Sequence, residues 1–127
     1  AHEPRLVINT VDAQTGEWVT FDPDSGVPLL LAVAASSAVP GVYPPTSIKG
    51  LRYIDGGMSS GTNADVASGK KLVLILVAEP VMTAPAMGPT MHRISFADEL
   101  KELEKSGSQV MVITRMSRQW RPRDSTP

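Results

Sequence analysis

The sequence contains no cysteine, which excludes disulfides and thiolate metal sites and leaves the redox compartment open. It has no excess of either charge: 12 Lys and Arg against 13 Asp and Glu give a net charge of −1. That balance offers no electrostatic case for nucleic acid or an anionic membrane surface as partner. Long apolar runs are also missing. The longest, residues 27–35, carries Pro28 near its start and falls well short of the roughly 18 residues that a spanning helix needs. There are 2 histidines, His2 and His92. Neither has a carboxylate or a second His at ligand spacing, so no metal site is expected. No signal peptide is visible and residue 1 is Ala rather than Met, so Ala1 is read as a cut boundary. Together these absences predict a soluble chain with no transmembrane segment and leave its compartment open, the cytoplasm slightly favoured.

What is present fits one compact domain at most. The chain has 127 residues, 42% hydrophobic and 20% charged, ordinary for a globular protein. Residues 5–11 (RLVINTV) and 17–21 (EWVTF) are rich in β-branched and aromatic residues around a turn-forming spacer, and predict a hairpin-like strand pair. Residues 22–26 (DPDSG) predict a turn. A helix is expected from Pro28, which suits a first-turn position, to about Ala38, ahead of Pro40. It is apolar nearly all round and should therefore be buried. Residues 39–50 predict an ordered proline-rich loop and 51–54 a short strand, with a short helix near Asn63 to follow. Residues 72–78 (LVLILVA) have the uninterrupted apolar pattern of a strand buried on both faces of a parallel sheet.

Residues 79–93 hold three prolines together with Met82, Met87 and Met91, and predict a mobile loop. The next helix has Ser95 as N-cap and Asp98 at the third position. Phe96, Leu100 and Leu103 share one of its faces, and Gly107 is placed to close it. Residues 109–114 (QVMVIT) predict another buried strand, and 115–127 an Arg- and Pro-rich flexible tail. Strands alternating with helices give the expected fold class: α/β, with a mostly parallel sheet flanked by helices.

The chain is organised around one ordered set of pieces. Ala34-Ala35-Ser36-Ser37-Ala38-Val39-Pro40-Gly41 leads into a loop with Pro44-Pro45, then Tyr53-Ile54-Asp55-Gly56-Gly57, then Asn63. Asp55 would stand at the C-terminal tip of a strand, where ligands bind in open α/β sheets. Two glycines after it allow close approach. On spacing alone, an ordinary Asp-Gly turn is the competing reading.

This set resembles the second half of a patatin-like acyl hydrolase domain, over about residues 5–114. The resemblance implies an incomplete patatin-like domain: residues 1–114 as its C-terminal part, acting on a lipid or other acyl ester without a cofactor. It implies a Ser–Asp dyad with Asp55 as base, Gly56 and Gly57 leaving room for the serine and acyl group, and Ser36 and Ser37 lining the acyl cleft. From their place at a helix end alone, those two serines would bond back to carbonyls one turn earlier. Asn63 matches an Asn of the family, although Asn63-Ala64-Asp65 replaces the usual Asn-x-Pro; it would order the loop that holds Asp55. A carboxylate has a reference pKa of about 4, and burial beneath an apolar cleft would make Asp55 a better base.

The family's nucleophile lies in a Gly-x-Ser-x-Gly turn, and its oxyanion hole in a glycine-rich loop before that. Nothing upstream of Asp55 matches either. The serine is therefore expected from outside this chain. Gly57-Met58-Ser59-Ser60-Gly61 matches the pattern formally, with His92 as a conceivable base. A nucleophile elbow, however, joins a strand directly to a helix, and Asp55-Gly56-Gly57 intervenes here. The alternative to an enzyme is a non-catalytic α/β module or assembly partner. If the chain is half a domain, a parallel strand edge is left open. It would pair with the missing N-terminal half or with a second copy.

Overall fold

The computed structural model describes residues 5–78, 93–114 and 118–121. The chain divides into two compact units, Ala1–Ser59 and Ser60–Pro127.

The first unit is a four-stranded sheet in the order β2-β1-β4-β3. Strand β1 (Ile8–Asp12) pairs antiparallel with β2 (Trp18–Phe21), Ile8 opposite Phe21 and Val11 opposite Trp18. The Asp12 carboxylate accepts the Gln14 and Thr15 amides at 2.8 and 3.1 Å and so closes the turn between them. After β2, Asp22 caps a 3-10 turn (Pro23–Ser25) reciprocally with Ser25. Arg5 donates to Asp22 at 2.6 Å, and this bond, with the Asp24 amide, holds the Asp22 carboxyl below its ordinary pKa.

Helix α1 (Leu29–Ser36) starts one residue later than expected, with Pro28 at its N-cap and Ser37 at its C-cap. Its Ala32 and Ala35 pack with Phe21, Ile48 and Tyr53 into one core, where the Phe21 and Tyr53 rings meet edge to face at 5.1 Å. The all-round burial expected for this helix does not occur: Leu29, Leu30 and Val33 are exposed. A single sheet covers one side of a helix, and α1 turns its small residues to that side.

Part of the stretch expected to be loop is a strand, β3 (Thr46–Ile48), paired antiparallel with β4 (Leu51–Asp55). Lys49 and Gly50 join them with φ of +49° and +83°, the left-handed pair that a two-residue hairpin turn requires. β4 also pairs antiparallel with β1, Thr10 opposite Asp55.

The second unit is a three-stranded sheet in the order β5-β6-β7. β5 (Leu72–Val77) and β6 (Gln109–Thr114) are parallel, and β6 pairs antiparallel with β7 (Arg118–Arg121). β7 falls within the stretch read as a flexible tail. Helix α2 (Phe96–Lys105) has the expected Ser95 cap, which accepts the Asp98 amide at 3.1 Å. Gly107 follows it at φ +89°. Leu100 and Leu103 pack on Val73, Ile75, Val110 and Val112.

The mostly parallel sheet is thus corrected: β5–β6 is the parallel pair among the described residues, and the larger sheet is antiparallel throughout. Short turns after β1 and β3 allow no other pairing, because a parallel connection needs a dozen or so residues. β5 is also not buried on both faces. Val73 and Ile75 are buried, whereas Leu72, Leu74 and Leu76 are exposed. The expected loop with its three methionines lies outside the described residues.

Candidate active site

Asp55 is the last residue of β4, an inner strand of its sheet. Its amide donates to the Ala38 carbonyl at 3.1 Å, tying the strand tip to the chain that leaves α1. The half-buried carboxylate turns back on its own chain: Oδ1 accepts the Gly57 amide at 2.6 Å and caps a 3-10 turn, Gly56–Met58. Oδ2 accepts no hydrogen bond among the described residues.

The two glycines differ in how tightly they are held to that identity. A Cβ on Gly56 would lie 2.4 Å from the Asn9 carbonyl oxygen, so β1 passes too close for any side chain. A Cβ on Gly57 would lie 3.0 Å from Asp55 Oδ1 and crowd the carboxylate. The neighbouring strand is firmly anchored: buried Thr10 donates to the Val19 carbonyl at 2.9 Å, and Trp18 donates to the Asn9 side chain at 2.9 Å. Ser36 is half-buried and Ser37 exposed, the latter closing α1 by its backbone amide.

The remaining candidates belong to a different arrangement. Ser59 and Ser60 are buried. Ser59 follows the 3-10 turn directly, and the next helical segment is another 3-10 turn, Ala64–Ala67, so the strand–turn–helix of a nucleophile elbow is absent there. The Ser60 hydroxyl donates to Glu99. Asn63 is buried with φ +48°, donates to the Ser60 carbonyl at 3.1 Å and accepts from Arg93 at 3.1 Å. Its side chain therefore orders the backbone of Ser60. Arg93 also grips Asp65 with two bonds of 2.6 and 2.9 Å.

Glu99 escaped the sequence reading. It is fully buried, and its carboxylate also takes the Thr62 hydroxyl at 2.7 Å and the Ala64 amide at 2.6 Å. With Ser60 this makes three donors, which compensates a carboxylate removed from water. One signal was available: Glu99 lies at i+3 from Phe96 and i−4 from Leu103, inside the apolar stripe of α2, where a lone carboxylate needs partners. His2 and His92 lie outside the described residues. Among the described residues no three His, Cys, Asp or Glu converge as metal ligands.

The model of the patatin-like phospholipase family matches residues 3–68, just over half of the chain. The chain belongs to that family. Among curated proteins no relative matches it. The patatin-like match is shorter than the span suggested by the sequence. It holds α1, the Asp55-Gly56-Gly57 turn, Ser36, Ser37 and Asn63, and ends before β5. Lipid acyl hydrolysis is thereby the activity class at family level. Among the described residues no helix is long and apolar enough to cross a membrane.

Proposed function

We propose that this chain is part of a patatin-like lipid acyl hydrolase and supplies Asp55 as the base of a Ser–Asp dyad, with the nucleophilic serine and the oxyanion loop outside residues 1–127. The observation that supports this is the state of the Asp55 carboxylate. It ends an inner strand with one oxygen fixed by Gly57 and the other without a donor among the described residues. A serine hydroxyl reaching Oδ2 would pass its proton there while its oxygen attacks the ester carbonyl. Donors from the oxyanion loop would hold the charge that develops. Asp55 hands that proton to the departing alkoxide, so that the alcohol leaves and an acyl-serine remains; the carboxylate, ionised again, takes a proton from the hydrolysing water and returns it to the serine oxygen as the acid is released. Gly56 and Gly57 keep the approach clear, and Ser36 and Ser37 border it.

The test is Asp55→Asn in the complete protein. Turnover of a lipid ester is expected to fall at least 100-fold, as befits loss of a general base, with the thermal unfolding midpoint nearly unchanged. Substantial residual turnover would remove Asp55 from the mechanism. A second reading, a non-catalytic module, draws on the same bond: an Asp that caps its own turn has a structural use already. It predicts that the gene encodes no Gly-x-Ser-x-Gly ahead of Ala1, and that Asp55→Asn only loosens the turn.

A further inference from the structure

We propose that two copies of the chain join edge to edge through β5, antiparallel about a two-fold axis at Leu74. Among the described residues the sheet of the second unit has two edges, β5 and β7. Charged residues, proline and glycine on an edge disfavour pairing. From Leu72 to Ala78, β5 carries no charge, proline or glycine. It therefore has none of the usual protections.

The ladder to β6 fixes which groups are free. Gln109 donates its amide to the Lys71 carbonyl at 2.8 Å, and Leu72 pairs with Gln109 in register. In a parallel pair this sets the main-chain groups of the odd-numbered residues toward β6. Those of Leu72, Leu74 and Leu76 then point off the edge. A groove of about 470 Å³ lies between Gly61, Asn63 and Ala67 on one side and β5 on the other.

Two identical edges fit each other in one favoured way. With the axis at Leu74, Leu72 faces Leu76 of the other copy and Leu74 faces its equivalent, so every outward amide and carbonyl meets its complement. Lys70 and Lys71 immediately precede β5. Antiparallel pairing sends them to opposite ends of the joint, whereas parallel pairing would set like charges side by side. The two-fold also closes the assembly at two copies. Leu72, Leu74 and Leu76 are 72%, 58% and 70% exposed, and the joint merges both sets into one leucine row on a six-stranded sheet.

Light scattering on the full 127-residue chain tests this. The wild type is expected at twice the mass of one chain and Leu74→Lys, with like charges opposed across the axis, at half of that. Their circular dichroism should agree. A second measurement uses the absence of native cysteine. Leu74→Cys should form a disulfide-linked dimer under mild oxidation far faster than Leu30→Cys, a more exposed site on α1. A wild-type mass of one chain, a Leu74→Lys dimer, or equal cross-linking at the two positions would overturn the proposal.

Discussion

An added Cβ at Gly56 would sit 2.4 Å from the Asn9 carbonyl oxygen and 2.7 Å from its carbon. Both atoms are backbone of a strand paired on two sides, so neither can yield cheaply. Gly56→Ala is therefore expected to cost about 1–3 kcal/mol, the range for overpacking, with the midpoint of urea unfolding as the readout. A loss below about 0.5 kcal/mol would mean that β1 can move away from the Asp55 turn. Glu99 poses the opposite problem, since its removal leaves donors behind. Glu99→Leu keeps an apolar stem on the α2 stripe but strands Ser60, Thr62 and the Ala64 amide. Each buried donor without a partner costs on the order of 1–3 kcal/mol. Glu99→Leu should destabilise more than Leu100→Ala, although Leu100 is almost as buried. The reverse order would make the carboxylate dispensable.

At the level of helices and strands, the elements the sequence defined best were those with local grammar. Ser95, the Phe96–Leu100–Leu103 stripe and Gly107 all lie within α2 or beside it, and α2 formed between them. The β1–β2 hairpin and the strand leading to Asp55 were legible for the same reason. β3 was not: three residues beside prolines carry little pattern, and only the Lys49–Gly50 turn creates the strand. Apolar pattern misled in α1 and β5. It states what a segment is able to bury against, while the number of covering layers is a property of the surroundings. α1 meets a sheet through Ala32 and Ala35, and its leucines stay exposed. The consequence is measurable. Leu30→Gln should change stability in the isolated chain by no more than about 0.5 kcal/mol, whereas Ala35→Leu, placed where nothing is exposed, should cost about 1–3 kcal/mol. If Leu30→Gln proved the more damaging, that face of α1 would be covered in solution.

For the whole chain, the family assignment and the candidate carboxylate fall in the same stretch: residues 3–68 match the patatin-like phospholipases, and Asp55 lies inside it. Asp55 could be named as a candidate from the sequence because it belongs to a motif whose pieces lie close together along the chain. Glu99 was not, because its partners Ser60, Thr62 and Ala64 are brought to it only by folding. The serines near Asp55 are the remaining question for an isolated chain. Ser59 and Ser60 are 4% and 1% exposed, and the Ser60 hydroxyl is committed to Glu99. A nucleophile must be reachable by its ester and activated by a base within hydrogen-bond reach; burial denies both serines the first, and the Ser60 hydroxyl is already committed elsewhere. Fluorophosphonate treatment of this polypeptide should therefore leave its intact mass unchanged, whereas a longer protein carrying the proposed serine outside residues 1–127 should take one adduct. An adduct on the isolated chain mapped to Ser59 would transfer the nucleophile to Gly57-Met58-Ser59-Ser60-Gly61. Asp55 would then be no more than the cap of its turn.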